Sequence, residues 1–375
     1  MTSEHSRSLI ECFSDLKDPR IDRTKRHLLT DIIVISICAV ICGAEGWEDI
    51  EEFAEARKEW FEGILELPGG IPSHDTIGRV FARLDSKEFE KGFIKWVEAL
   101  REKLAEVVSL DGKVSRGSHN KATGKKAIGM VSAWAHDNRL VLGQIKVEDK
   151  SNEITAIPEL LRMLDLKGCI VTTDAMGCQT EIASQIVSQE ADYVLAVKGN
   201  QGTLHSEIKQ YFDWALKDKF KQTEYSYHET TDGGHGRIEV RRCYSSSDLS
   251  WFADKEKWAG LRSIAMVEAE REVLGGEKSI ERRYYISSLD SDAQKIGRAV
   301  REHWGVENSL HWVLDVTFRE DQSRIRKDNA PENMAILRHM ALSLLKQEST
   351  TKKGVRAKRL KAGWSDSYLL KVLTT

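Results

Sequence analysis

CIVTTDAMGCQTEIASQIVSQEADYVLAV, residues 169–197, decides the fold. Cys169–Thr173 and Tyr193–Val197 are short apolar runs that read as buried strands, and Cys178–Ser188 between them reads as a helix. Upstream, Val107–Leu110 enters a strand. Met130–Ala135 and Leu140–Val147 make two more, joined by an Asp137-Asn138 turn, and a helix lies around Ile154–Leu164. Three antiparallel strands, a helix, a strand, a helix and a strand form a mixed α/β order.

The flanks are different. Residues 1–106 predict a helical N-terminal domain. Thr30 or Asp31 is placed to cap an apolar helix, Trp47–Phe61 repeats apolar residues at helical spacing, and Ser73 caps a helix carrying Ile77, Val80, Phe81 and Leu84. A short helix after the LPGGIPS turn suits DNA reading, but nothing there is distinctively basic, so a bundle packed on the next domain is the stronger expectation. The α/β domain, residues 107–347, is interrupted at 199–283 by a helix (Gly202–Leu216), a TDGGHGR turn and alternating strand-like pieces, which together read as a β-rich insertion. The chain then turns helical again, with Pro331 suited to a first helical turn, and residues 348–375 read as a basic C-terminal tail.

The 375 residues carry 56 Lys+Arg against 59 Asp+Glu, a formal net charge of −3, which excludes a protein coated in basic residues but not a local basic face. At 41% hydrophobic and 31% charged, the chain buries a real core, so wholesale disorder is excluded. The longest apolar run, Ile32–Ala44, falls short of the roughly 20 residues a membrane span needs and reads as a buried helix. No export signal is visible, and the six cysteines show neither a CxxC pair nor zinc-finger spacing; Cys38 and Cys42 read as small buried thiols. A cytoplasmic protein off the membrane is the expectation. The last 25 residues hold seven Lys and Arg against Asp366 alone, so the neutral total is a sum over unlike parts.

Two aspartates sit where apolar runs end. Asp111 follows VVSL and Asp174 follows CIVTT. A buried charge is costly unless paired, hydrogen-bonded or bound to a cation, and either residue alone reads as a turn or cap aspartate. Neighbouring first and fourth strands would set the two side by side, where like charges need a counter-ion; Mg²⁺ or Mn²⁺ would serve. A third carboxylate is available in REHWGVENSLHWVLDVTFRED, residues 301–321, where Glu307 has His303 one turn before and His311 one turn after on the same face. Asp315 is its rival. The His-Glu-His spacing also suggests zinc, but no Cys or second motif accompanies it.

The segments DGK at 111–113, KSNEITAIPELL at 150–161, TTDAMGCQ at 172–179, DYVLAVKGNQ at 192–201, RYYISSL at 283–289 and HWGVENSLHWVLDVTFRED at 303–321 resemble the insertion-sequence DDE transposases. The nearest branch includes the H-repeat-associated proteins found near Rhs elements, and IPSHDTIGRVFARLD at 71–85 is similar to its N-terminal associated domain. The resemblance implies a ribonuclease H-like core in which Asp111, Asp174 and Glu307 form a triad for two Mg²⁺ ions, with Mn²⁺ as substitute. It further implies cleavage at element ends, strand transfer into target DNA, double-stranded DNA as partner (terminal inverted repeats and target), and a homodimer on that DNA. The 63 positions from Asp111 to Asp174 and 133 from there to Glu307 agree, the excess in the second being the insertion. Many relatives carry Tyr-x2-Arg-x3-Glu-x6-Lys around the Glu. Val300, His303, Glu307 and Leu314 stand at those positions here, which alters the DNA-end contacts rather than the triad.

Lys and Arg contacts to phosphates supply most affinity for DNA. The candidates are Lys113, Arg116, Lys198 and Arg237, with His303, Asn308 and His311 on the long helix, the small basic segment SRGSHNKATGKK at 115–126, and the C-terminal basic run. Trp251 and Trp258 read first as core residues and second as a stacking platform for an unpaired base. Two readings stand beside the transposase: a relic that binds element ends without cutting them, and a ribonuclease H-like nuclease unrelated to transposition.

Overall fold

The computed structural model describes residues 11–100, 106–119, 126–148, 151–234, 236–273 and 276–374. Nine strands are present among them: β1 (Val107–Ser115), β2 (Ile128–Ala135), β3 (Leu140–Val147), β4 (Ile170–Thr173), β5 (Asp192–Val197), β6 (Ser226–Gly234), β7 (Arg237–Ser246), β8 (Ser263–Val273) and β9 (Lys278–Ser287). They form one sheet in the order β3-β2-β1-β4-β5-β9-β8-β7-β6. β1, β2 and β3 are antiparallel neighbours, while β4 and β5 add in parallel on the other side of β1, each after a helix. This is the mixed α/β sheet expected from the order of elements, arranged as the ribonuclease H-like core that the resemblance implies.

Alternation along the strands sets two faces. Val107, Ile170 and Val194 pack with Ala293, Ile296, Ala299 and Val300 of the helix Ala293–Val306. Their neighbours Val108, Val171 and Leu195 turn the other way, into a larger core with the helices Glu153–Met163, Thr180–Ser188 and Ala330–Gln347. Every second residue of β1 and β4 therefore faces the helix that ends at Glu307.

The insertion does not fold as a separate subdomain. β9 runs on to Ser287, past the expected boundary at 283, and pairs antiparallel with β5, so β6–β9 prolong the central sheet. Beyond the core the far halves of β8 and β9 are exposed, and ion pairs bridge the strands instead. Arg242 meets Glu229 at 2.9 Å, Glu270 at 2.9 Å and Glu268 at 3.3 Å, and Arg282 meets Glu268 at 2.8 Å. Trp258 is buried and Trp251 stacks on Tyr211 with ring centroids 5.5 Å apart, in agreement with a packing role.

The N-terminal helices share the main core. Leu29–Cys42 packs along Ala330–Gln347, and Asn333 Nδ2 donates to the carbonyls of Phe81 (2.7 Å) and Leu84 (3.0 Å), fixing the His74–Arg83 helix in a bundle. Ser73 caps that helix, accepting from the Thr76 amide. The cap expected at Thr30 or Asp31 is displaced: the helix starts at Leu29, and Asp31 is buried, accepting from the Leu67 amide at 3.1 Å. Among the described residues no single helix is long and apolar enough to cross a membrane.

The basic run expected as a tail is also folded, into helices Val355–Trp364 and Asp366–Leu373. Lys358 donates to the carbonyls of Leu345 (2.9 Å) and Glu348. Arg359 donates to those of Val40 (2.8 Å) and Thr317, with its guanidinium 4.2 Å from the Phe318 ring. Both cations are buried, so the run is less of a charged surface than its composition suggests.

Candidate active site

Leu110 of β1 pairs with Thr173 of β4 in parallel, so the next residues stand abreast: Asp111 in the middle of β1, which runs on to Ser115 rather than ending with the apolar run, and Asp174 just past the end of β4. Asp174 also fills the bland role expected of it. It caps the turn Ala175–Gly177, accepting from the amides of Met176 (2.9 Å) and Gly177 (3.3 Å). Asp111 accepts from the Gly112 amide at 3.0 Å. Burial, then the charge of Asp174, pushes its carboxyl up to about 7, with Glu153 and Glu307 adding to the effect.

The helix Ala293–Val306 crosses behind these strands and continues through a π-helical turn, Glu307–His311, a local widening often found at functional sites. His303 holds it in place. Its Nδ1 lies 3.1 Å from Thr172 Oγ1, and Thr172 donates to Ser109 Oγ at 3.0 Å, a chain from the helix through β4 to β1. Burial keeps His303 near 4, against the pull of Asp174. His311, 3.4 Å from Asp111, is likewise held near 4 by burial and by Lys113. Both rings are neutral at neutral pH, so either would meet a phosphate as a hydrogen-bond donor rather than as a cation. At the two other departures from the relatives' signature, Val300 and Leu314 are buried in the core.

Asp111, Asp174 and Glu307 line one cleft of about 440 Å³, shared with Lys198, Arg283 and Trp304. The Arg283 guanidinium lies 4.0 Å from the Trp304 ring, and Lys198 is exposed at the rim. Lys113 is placed differently from expectation. Its ammonium sits 2.6 Å from Asp315, 2.9 Å from Glu320 and 3.5 Å from Asp321, and the side chain is only 10% exposed, which withdraws it from DNA. The same network occupies Asp315, the rival to Glu307. Arg116 is 84% exposed, with Asp321 at 3.6 Å. Arg237 lies at the tip of the β6–β7 hairpin and does not line the cleft, and Asn308 is exposed beside Glu307 without lining it. Residues 120–125 of the small basic segment lie outside the described residues.

Sequence reasoning missed Glu153. A Cβ on Gly112 would overlap its carboxylate, which therefore lies against the residue next to Asp111. Burial, then Asp174, raises its carboxyl. The signal was its place at the first turn of the helix within KSNEITAIPELL. Asp111, Asp174 and Glu307, with Glu153 beside them, would offer an all-oxygen donor set, which suits Mg²⁺ or Mn²⁺ rather than zinc. Among the described residues no three His, Cys, Asp or Glu side chains already close around one point as a metal cage. Magnesium sites commonly use one or two carboxylates and complete the shell with water and substrate phosphates, so the open arrangement fits that ion.

A family model described as "Transposase DDE domain" matches residues 102–344, and one described as "DDE_Tnp_1-associated" matches residues 10–97. The chain is 44% identical over 372 residues to "Putative transposase YncI" of Escherichia coli O157:H7, covering 98% of this chain and 95% of that protein. It is 41% identical over 374 residues to "H repeat-associated putative transposase YhhI" of Escherichia coli K12, covering 98% of each. A shorter K12 relative, "Inactive transposase YbfQ", is 44% identical over 77 residues, 20% of this chain and 92% of its own. Among solved structures, a piggyBac transposase synaptic complex with hairpin DNA covers this whole chain at 11% identity and a TM-score of 0.44, too low for the likeness to carry weight.

Proposed function

The chain belongs to the DDE transposase family, and from that membership we propose that it cuts DNA at the ends of an insertion element and joins the freed ends to target DNA. The observation that carries this reading is the convergence of Asp111, Asp174 and Glu307 on one cleft from two adjacent strands and one helix. Two divalent cations held by these carboxylates, Mg²⁺ or Mn²⁺, would stabilise the attacking and leaving oxygens of an in-line displacement.

The protein's own contribution is position and charge. Ser109, Thr172 and His303 orient the helix carrying Glu307 against the strands carrying the aspartates. Lys198 and Arg283 supply the cations at the cleft that suit backbone phosphates. Water adds to the phosphorus at the element end and the 3′ oxygen leaves, taking a proton to become the 3′-OH. That hydroxyl then attacks a target phosphodiester and displaces another 3′ oxygen. No protein nucleophile is needed, and a homodimer would bring two ends together.

Asp111→Asn, Asp174→Asn and Glu307→Gln should each abolish Mg²⁺-dependent cleavage and transfer of labelled terminal inverted repeats, with circular dichroism and DNA binding retained. Metal-dependent cleavage surviving in all three variants would overturn the assignment. Binding without cutting by the wild-type chain would instead identify a relic.

A further inference from the structure

The helix that presents Glu307 to the cleft has a second working face. His303, Trp304, Glu307 and His311 line the carboxylate cleft, whereas Gly305 and Ser309 lie on the opposite side of the same helix. A Cβ at Gly305 would meet His136 Cε1 at 2.7 Å, so the helix is seated directly on the β2–β3 turn. Ser309 opens onto a pocket of about 360 Å³ walled by Trp134, His136 and Arg139 on one side and by Lys346, Lys353 and Lys358 on the other.

This pocket gathers cations without acids. Elsewhere the chain pairs its cations closely, Lys113 with three carboxylates and Arg242 with three more. Among the described residues no carboxylate pairs with Arg139, Lys346 or Lys353. Lys346 holds its ammonium 4.9 Å from the Trp134 ring, and burial together with Arg139 and Lys358 lowers it to about 8. Lys358 is fixed in the wall by its bonds to the Leu345 and Glu348 carbonyls. Of the acids at the edge, Glu348 pairs with Lys358 at 3.8 Å while accepting from Thr350, Thr351 and Tyr368, and Asp137 accepts from Arg298. Mutually repelling cations are costly, so the site is built for an anion that would relieve them.

We propose that this pocket is an oxyanion site that takes a backbone phosphate of DNA on the side of the Glu307 helix opposite the carboxylate cleft. The proposal rests on the DNA-handling reading above. Phosphate matches the chemistry, since the lining offers ammonium and guanidinium donors and the Ser309 hydroxyl. A polyanion fits better than a free ion because the basic surface continues outward, with Lys352, Lys353 and Arg356 exposed at the start of the C-terminal helices. The site therefore offers a second grip on the duplex through the same helix that places Glu307.

The test uses the full chain and a short fluorescein-labelled duplex, followed by anisotropy over a range of salt concentrations. A parallel arm follows thermal melting with inorganic phosphate and pyrophosphate. The Arg139→Gln/Lys346→Gln double variant should lose several-fold in duplex affinity at low salt. The slope of log affinity against log salt should become shallower by about 0.9 for each phosphate contact removed. Lys353→Gln, at an exposed position that leaves the fold undisturbed, should shift both quantities in the same direction. Unchanged affinity and slope in Lys353→Gln and the double variant overturn the proposal. Loss of phosphate-induced stabilisation with duplex binding intact also overturns it, because the pocket then serves a free phosphate. A wild-type chain that binds duplex through this pocket but does not cut with Mg²⁺ sinks the proposed function and leaves the pocket standing.

Discussion

Asp111 is governed by proton affinity. Its carboxyl is raised to about 7 in the folded chain, whereas an unfolded aspartate titrates near 3.9. Between those values the folded state keeps a proton that the unfolded state has released, so this group's stabilising contribution falls as pH rises through the window. A divalent cation must displace that proton. Mg²⁺ should therefore raise the melting temperature little at about pH 5 and progressively more towards about pH 8. Asp111→Asn should flatten that dependence, and an equal Mg²⁺ effect at both ends of the range would separate Asp111 from the metal. Glu153 makes a second residue-scale prediction. Glu153→Gln should cut Mg²⁺-dependent cleavage roughly 10–100-fold, as for groups that support metal ligands, while leaving the melting profile intact. An unchanged rate removes Glu153 from the site. Glu153 was not legible in the sequence because its significance lies in touching Gly112, forty-one positions earlier.

Among elements, the segment that follows Glu307 is held to β1 through one buried cation, Lys113, with Ser115 Oγ donating to the Glu320 carbonyl at 3.3 Å and Arg116 meeting Asp321 just beyond the strand. Lys113 neutralises Asp315, Glu320 and Asp321 together, and burial, which would lower its ammonium, is outweighed by Glu320 and Asp315. Lys113→Met should destabilise the fold by roughly 3–5 kcal/mol, the range for a buried charge network deprived of one sign, measured by urea unfolding. Retained stability would mean that the three acids find other partners. In the sequence Lys113 looks like a DNA contact because it stands two residues from the cleft aspartate Asp111. Its true partners lie some two hundred positions on, and only the approach of that segment to β1 reveals them. The C-terminal helices mislead in the same way. Lys358 and Arg359 are counted as surface charge until the carbonyls at the ends of two other helices are seen to receive them.

Across the whole molecule, one core joins the N-terminal helices, the sheet and the long C-terminal helix. Glu90, on the helix Ser86–Leu100, marks that junction: it is buried and accepts from the Gln144 amide of β3 at 2.7 Å. Burial pushes its carboxyl up to about 8. The stability it allows is present below the ordinary range of a glutamate and is lost as pH rises through the folded value. Glu90→Gln keeps the acceptor and removes the charge, so it should leave the melting temperature unchanged at about pH 5 and raise it by a few degrees at about pH 8. Parallel curves for wild type and variant would show that the carboxyl is not held neutral. The near balance of 56 basic and 59 acidic residues also becomes intelligible at this scale. Much of it is spent in ion pairs along β6–β9, which leaves the unpaired cations at a few places such as the rim of the cleft and the pocket behind it.

The sequence by itself determined the strands and their faces, because apolar alternation and β-branched runs are local properties that any fold must respect. It also singled out Asp111, Asp174 and Glu307 as carboxylates next to apolar runs or between histidines one turn away, and only the family resemblance joined all three into one set. Tertiary structure alone decided the register that sets Leu110 beside Thr173, the continuation of the sheet through the insertion, and the contact of Glu153 with Gly112. It alone decided which cations are free to meet a phosphate. A charge takes its role from whatever packing brings within a few ångströms, and that distance is not written in the order of residues along the chain.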